Sequence, residues 1–161
     1  MQILKAKFKK YEQLDLKYEQ LDLKYIAEYI SAKTLCILPS HKHVCELSKL
    51  IKNHTIQCFT AKQRKIREDL EIIMGPCDIV IGTCGRLMDL FQRNFFSKRY
   101  FEKVMLVGDN LFEESMINQV EKIINICGEN VEYFICVTEN ENVYNLKNLK
   151  ILKQKDDEFC G

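Results

Sequence analysis

The chain has 161 residues, 47% of them apolar and 29% charged, with a net charge of +1. That length and balance suit one compact domain rather than two, and so small a net charge excludes a partner chosen by overall charge, leaving any nucleic-acid affinity to a local patch. No apolar run approaches bilayer length and the lysine-rich N-terminus has no signal-peptide core behind it, so the expectation is a soluble intracellular protein, cytoplasmic or nuclear, without a membrane partner. The first element is a duplication: Tyr-Glu-Gln-Leu-Asp-Leu-Lys at residues 11–17 recurs unchanged at 18–24. Leu4, Tyr11, Tyr18 and Tyr25 fall every seven residues with Leu14 and Leu21 three positions on, which predicts a long helix within residues 1–33. Leu16 and Leu23 face away from that seam, and so short a run is marginal as an autonomous coiled coil. The helix is expected to lie on the domain, or alternatively to dock a protein partner.

From residue 34 the pattern changes to strands alternating with helices. Short runs rich in Ile, Val, Leu and Phe predict strands at 34–38, 55–59, 78–81, 103–107 and 132–137. Between them lie helical faces: Val44, Leu47, Leu50 and Ile51; Ile66, Leu70, Ile73 and Met74; and Ile117, Val120, Ile124 and Cys127, the last stopped by Gly128. Pro39 and Gly75-Pro76 supply further breaks. Strands apolar on both faces with helices between them predict an α/β fold, a parallel sheet in the middle of three layers.

The most informative stretch is 77–90, Cys-Asp-Ile-Val-Ile-Gly-Thr-Cys-Gly-Arg-Leu-Met-Asp-Leu. An apolar strand runs into Thr83, a helix-capping residue, then Gly85, which lets backbone amides approach a ligand, then the permanent charge of Arg86. That is an anion-binding arrangement, although Arg86 could equally hold its loop through a neighbouring acid. The segment resembles the Thr-Pro-Gly-Arg-Leu motif of DEAD-box RNA helicases, with Thr83, Gly85, Arg86 and Leu87 in place, Asp89 matching a downstream acid and Cys84 replacing the proline.

The other loops that leave predicted strands follow the same order. Leu38-Pro39-Ser40-His41 resembles the family's Ala-Pro-Thr-Arg start, with His41 at the arginine, and Thr60-Ala61 stands where the family has a Gly-Gly turn. Lys62, Arg64, Lys65 and Arg67 then crowd four cations at a helix start, against the macrodipole's preference, which is either a solvated face or a mild sign of an anionic partner. Asp109-Asn110-Leu111-Phe112 falls at the Asp-Glu-Ala-Asp position, so Asp109 keeps the magnesium-side acid and Asn110 replaces the water-activating glutamate. As local chemistry alone, Gly108-Asp109-Asn110 is a turn and helix cap. Thr138, ending 134–138, matches the threonine that couples the family's two lobes.

No Gly-x-x-x-x-Gly-Lys-Ser/Thr occurs, since none of the six glycines precedes a lysine. The resemblance therefore implies an incomplete RecA-like lobe at 34–161, matched over about 34–138, carried behind a helical extension at 1–33. In the family the phosphate-loop strand lies inside the sheet. Here either a short strand near residues 2–4 or, as expected, the long helix takes over that space. The function implied is a degenerate, RNA-associated helicase-like domain without ATPase activity. Single-stranded RNA or a ribonucleoprotein would be its partner, held by Pro39, Ser40, His41, Thr83, Gly85 and Arg86. The alternatives are an interaction scaffold using the N-terminal helix, or a fragment of an active ATP-dependent RNA helicase. Neither ATP nor magnesium, the family's cofactors, is expected to bind.

Eight cysteines, at 36, 45, 58, 77, 84, 127, 136 and 160, form no Cys-x-x-Cys pair and fall mostly in apolar elements, where they read as small core residues. A zinc site from His41, His43 and Cys45 with His54 and Cys58 fits no structural zinc spacing, so no metal is expected.

Overall fold

A computed structural model describes residues 2–7, 10–15, 23–72, 77–93, 101–127, 131, 133–138 and 140–142. Strands β1 (Gln2–Lys7) and β2 (Lys10–Asp15) precede helix α1 (Leu23–Glu28). Then come β3 (Thr34–Leu38), α2 (His41–Leu50), β4 (Ile56–Phe59), α3 (Ile66–Ile72), β5 (Ile79–Thr83), α4 (Cys84–Gln92) and β6 (Lys103–Val107). A 3₁₀ turn (Asp109–Phe112), α5 (Glu114–Cys127) and β7 (Tyr133–Thr138) complete the described elements. They form one sheet in the order β2-β1-β7-β6-β3-β5-β4, in which β3 to β7 are mutually parallel.

The parallel order follows from how the strands are covered. Successive side chains of a strand point to opposite faces, so a strand apolar at every position is stable only between two layers. In β3, Cys36 and Leu38 join Ile79, Ile81, Met105 and Val107 on one face, beneath Leu23 and Ile26 of α1 and Val44 and Leu47 of α2. Leu35 and Ile37 join Val80, Val104 and Leu106 on the other, against Leu87, Leu90 and Phe91 of α4 and Val120, Ile123 and Ile124 of α5. Ile66 and Leu70 of α3 flank that second layer. Each such side chain taken from water contributes about 1.5–3 kcal/mol before entropy is counted.

The five parallel strands lie where the sequence places them, within a residue or two at each end. Of the apolar stripe of α2, Val44 and Leu47 are buried and Ile51 packs partly buried against the same core, but Leu50, at the last turn of the helix, is 38% exposed. Ile73, Met74, Gly75, Pro76 and Gly128 lie outside the described residues.

The N-terminal expectation needs correction. Instead of a long helix across 1–33, β1 pairs antiparallel with β7 and β2 pairs antiparallel with β1, so these residues enlarge the sheet. Leu4-Lys5-Ala6-Lys7 alternates apolar and charged, the period of a strand, and the free edge of β7 carries backbone N–H and C=O groups that a neighbouring strand satisfies and a covering helix would not. Tyr11 and Leu14, two positions of the heptad seam, belong to β2, while Tyr18 and Leu21 lie outside the described residues. Among the described residues of this segment only α1 is helical, and it buries Leu23 and Ile26.

Gly82, near the end of β5, is required by close approach. A Cβ there would stand 2.6 Å from the Phe59 carbonyl oxygen and 2.8 Å from Leu87 Cγ, so β4, β5 and α4 meet over a bare backbone. Gly82→Ala should destabilise the fold by about 1–3 kcal/mol, because the obstacle includes neighbouring backbone that cannot rotate away. Chemical denaturation checks this, with a lowered midpoint at unchanged slope as the expected result.

Candidate nucleic-acid interface

Because β6, β3, β5 and β4 are parallel neighbours, their following loops emerge side by side at one edge. Leu38 is in register with Thr83, which brings the start of α2 beside the start of α4. Ser40 caps α2: its Oγ accepts from the His43 backbone N–H at 3.3 Å and lies 2.6 Å from His43 Nδ1. Thr83 occupies the N-cap position of α4 but makes no capping hydrogen bond, so the opening amides of that helix have no side-chain acceptor at their cap.

Contacts between loops link this edge into a strip. Pro39 packs against Gly108, whose φ of +109° suits only glycine, and a Cβ there would come within 3.2 Å of the proline ring. His41 Nδ1 lies 2.7 Å from Thr60 Oγ1, joining the loop after β3 to the loop after β4 across the end of β5. Gly85 differs from the other two: a Cβ placed on it meets nothing within 4 Å. Internal packing therefore does not demand glycine at this position. It borders an open depression of about 360 Å³ lined by Met88, Asp89, Gln92, Gln119 and Lys122.

Arg86 is not a free cation. Its Nη1 donates to Asp69 Oδ2 at 2.8 Å, and Arg64 Nε donates to Asp69 Oδ1 at 2.8 Å. Asp69 is fully buried, while the Arg86 and Arg64 side chains are only 12% and 26% exposed. Arg64 also donates to the Cys58 carbonyl and lies 5.9 Å above the Phe59 ring centroid. One carboxylate thus clamps the turn before α3, the edge strand β4 and the first turn of α4. A buried carboxylate needs such partners, since desolvating it unpaired would cost several kcal/mol. Of the four cations expected at the start of α3, Lys62, Lys65 and Arg67 are exposed and Arg64 is taken up in the clamp.

At the end of β7, buried Thr138 donates from Oγ1 to Asp109 Oδ1 at 2.6 Å. Asn140 accompanies it, with its N–H on Thr138 Oγ1 at 3.0 Å and its Nδ2 on the Asp109 carbonyl at 3.2 Å. Asn142 Nδ2 donates to the Phe112 carbonyl at 2.9 Å. Asp109 and Thr138 are therefore brought together, and Asn110 sits one residue on in the 3₁₀ turn, its Oδ1 the nearest atom to a Cβ on Gly108.

Among the described residues no three His, Cys, Asp or Glu side chains gather as metal ligands. Cys36, Cys84, Cys127 and Cys136 are buried. Burial pushes the Cys84 thiol up to about 11 and the Cys127 thiol up to about 12, and raises those of Cys36 and Cys136 further, so all four stay protonated at neutral pH.

The Asp69 clamp had one legible trace in the sequence, an acid three residues after Ile66 and beside Leu70 on the apolar stripe of α3. Its two arginine partners stand 5 residues before and 17 after it, distances that no local pattern exposes. Asp69→Ala, which leaves two largely buried guanidiniums facing each other, should lower stability by about 3 kcal/mol. Asp69→Asn, which keeps one acceptor, should cost about half as much. Urea unfolding of the two variants against the parent chain measures both, and equal losses would argue against the charge as the cause.

No family model matches the chain. Eukaryotic initiation factor 4A of Drosophila melanogaster is 24% identical over 93 residues, 57% of this chain and 23% of that protein. A hypothetical ATP-dependent RNA helicase from Sulfolobus tokodaii superposes over 80% of this chain and 39% of its own, with a TM-score of 0.61 at 18% identity. A DEAD box protein from Methanococcus jannaschii superposes over 76% and 35%, with a TM-score of 0.62 at 19% identity. The chain thus spans less than two fifths of the length of each of these proteins. With the parallel order of β3 to β7, these likenesses show that the chain has a RecA-like α/β fold similar to that of the DEAD-box proteins it superposes on.

Proposed function

We propose that the chain is a degenerate DEAD-box-like lobe that holds single-stranded RNA, free or in a ribonucleoprotein, by its sugar-phosphate backbone and does not turn over ATP. The observation that carries the RNA reading is the pairing of two helix starts, α2 and α4, on adjacent strands, with Gly85 opening onto empty space. Backbone amides at a helix N-terminus donate to anions and the macrodipole favours negative charge there. Ser40, His41 and Thr83 add side-chain donors beside those amides, and Lys62, Lys65 and Arg67 extend positive charge along the neighbouring loop. Contacts of this kind position a strand without reading its bases.

The clamp gives Arg86 a narrower part. With Nη1 bound to Asp69 it anchors the first turn of α4, and its remaining N–H groups are what it has to offer a phosphate. Loss of ATP chemistry is supported by Asn110, whose amide cannot take a proton from an attacking water. Asp109 supports it as well, its carboxylate being engaged by Thr138. In addition, β1 flanks β7 antiparallel, and residues 1–33 contain no glycine with which to build a phosphate loop.

Gly85→Ala separates binding from folding. Alanine has the higher helix propensity by about 1 kcal/mol and clashes with nothing, so melting temperature should hold or rise. The added methyl group should weaken single-stranded RNA at least fivefold. Wild-type affinity should be micromolar or weaker, falling with salt at a log–log slope of about −2, equivalent to roughly three phosphates neutralised. Filter binding beside a melting curve tests this, and unchanged RNA affinity in Gly85→Ala removes the interface from this edge. For ATP, turnover with and without RNA should equal the buffer blank, and Asn110→Glu should restore none. An RNA-stimulated ATPase lost in Asp109→Ala would overturn that half of the reading.

A further inference from the structure

The depression beside Gly85 is lined by side chains that suit a nucleobase and not a phosphate. Gly85, Met88, Asp89 and Gln92 follow one another at intervals of three or four along α4, so they make one stripe about 10 Å long at 1.5 Å per residue. Gln119 and Lys122, three apart on α5, line the other side. Both helices turn different faces to the core, through Leu87, Leu90 and Phe91 and through Val120, Ile123 and Ile124. The gap between the two stripes is kept open by a missing side chain, since a Cβ on Gly85 would meet nothing within 4 Å. Its volume of about 360 Å³ lies at the small end for ligand pockets, which begin near 300 Å³. Much of its hydrogen-bonding capacity is unused. Asp89 Oδ1 accepts from Arg93 Nε at 3.2 Å, and the side chains of Gln92 and Lys122 have no hydrogen-bond or ion-pair partner among the described residues. Met88 is the one apolar side chain of the lining, too little to seat the apolar anchor of a protein partner.

We infer that this depression is a base pocket that takes guanine from a bound RNA strand. The inference rests on the RNA reading above, because Gly85 is common to both: a nucleotide with its phosphate at the start of α4 has its base beside the mouth of the pocket. Guanine carries two adjacent donors, N1–H and the N2 amino group, and two acceptors, O6 and N7. The Asp89 carboxylate on α4 suits the donors and the Lys122 ammonium on α5 suits the acceptors. Adenine and cytosine offer a carboxylate a single amino group and uracil a single imide N–H, so each fits this pair of charges less fully. The carboxamides of Gln92 and Gln119 both donate and accept, and the Met88 thioether gives the ring a polarisable surface. Backbone contacts would hold the strand, and this pocket would select which nucleotide is held there.

Fluorescence anisotropy on the full chain tests this with short oligouridylates that differ at one central position, which carries guanine, adenine, cytosine, uracil or no base. The guanine strand should bind at least fivefold more tightly than the other four. Asp89→Asn and Lys122→Met should each bring the guanine strand to within twofold of the abasic strand. Taking that ratio within each variant cancels the effect of the altered charge on the backbone. Lys122 is exposed, so Lys122→Met leaves the melting curve in place and decides alone if Asp89→Asn proves unstable. Equal affinity for all five strands, preference for another base, or a guanine preference that survives both substitutions overturns the inference and leaves backbone binding standing. Failure of every strand to bind, the abasic one included, overturns the backbone reading and the pocket with it.

Discussion

The complete burial of β3 on both faces is the constraint from which the rest of this molecule follows. Thr34, Leu35, Cys36, Ile37 and Leu38 are at most 1% exposed, so the strand needs a strand on either side and a helical layer above and below. β5 and β6 supply the first, α1 and α2 with α4 and α5 the second. Parallel neighbours need crossovers, and each crossover returns the chain to the same end of the sheet before the next strand. Every loop that follows one of the five parallel strands is therefore delivered to one edge, and that edge carries Pro39, Ser40, His41, Thr83, Gly85, Arg86 and Asp109.

At that edge, rigidity comes from a few polar contacts of long sequence separation. The Asp69 carboxylate gathers Arg64 and Arg86, Thr60 holds His41, and Thr138 holds Asp109. Each ties the end of one strand to the loop after another, so the groups facing solvent are positioned by the sheet and not by their own mobile side chains. The same contacts change what individual residues do. Arg86 is in place by motif and yet has part of its charge directed inward, onto Asp69. His41, held by Thr60, also lies against the Cys45 side chain a turn later on the same helix.

The sheet margins show how a local pattern is overruled. The heptad at 4–25 is regular as a sequence, but a helix there would leave the edge of β7 without hydrogen-bond partners. An antiparallel strand supplies them, and the alternation Leu4-Lys5-Ala6-Lys7 fits that role equally well. Two periodicities coexist in the same residues, and the neighbouring strand selects between them.

By itself the amino-acid order determined the α/β class, the five parallel strands, the faces of their helices and the loops that carry Pro39, Ser40, His41, Thr83, Gly85, Arg86, Asp109, Asn110 and Thr138. Those features rest on burial and turn chemistry, which act over a few residues and leave a readable period of two or 3.6. Only the tertiary structure decided that 2–15 pair as strands, that Arg86 is bound to Asp69, that Thr138 meets Asp109 and that His41 stands between Thr60 and Cys45. Apart from the pairing of β1 with β2 and the i, i+4 pair of His41 and Cys45, these join residues from 17 to more than 130 positions apart, where partner choice depends on which strand ends the fold makes neighbours. No local periodicity records that.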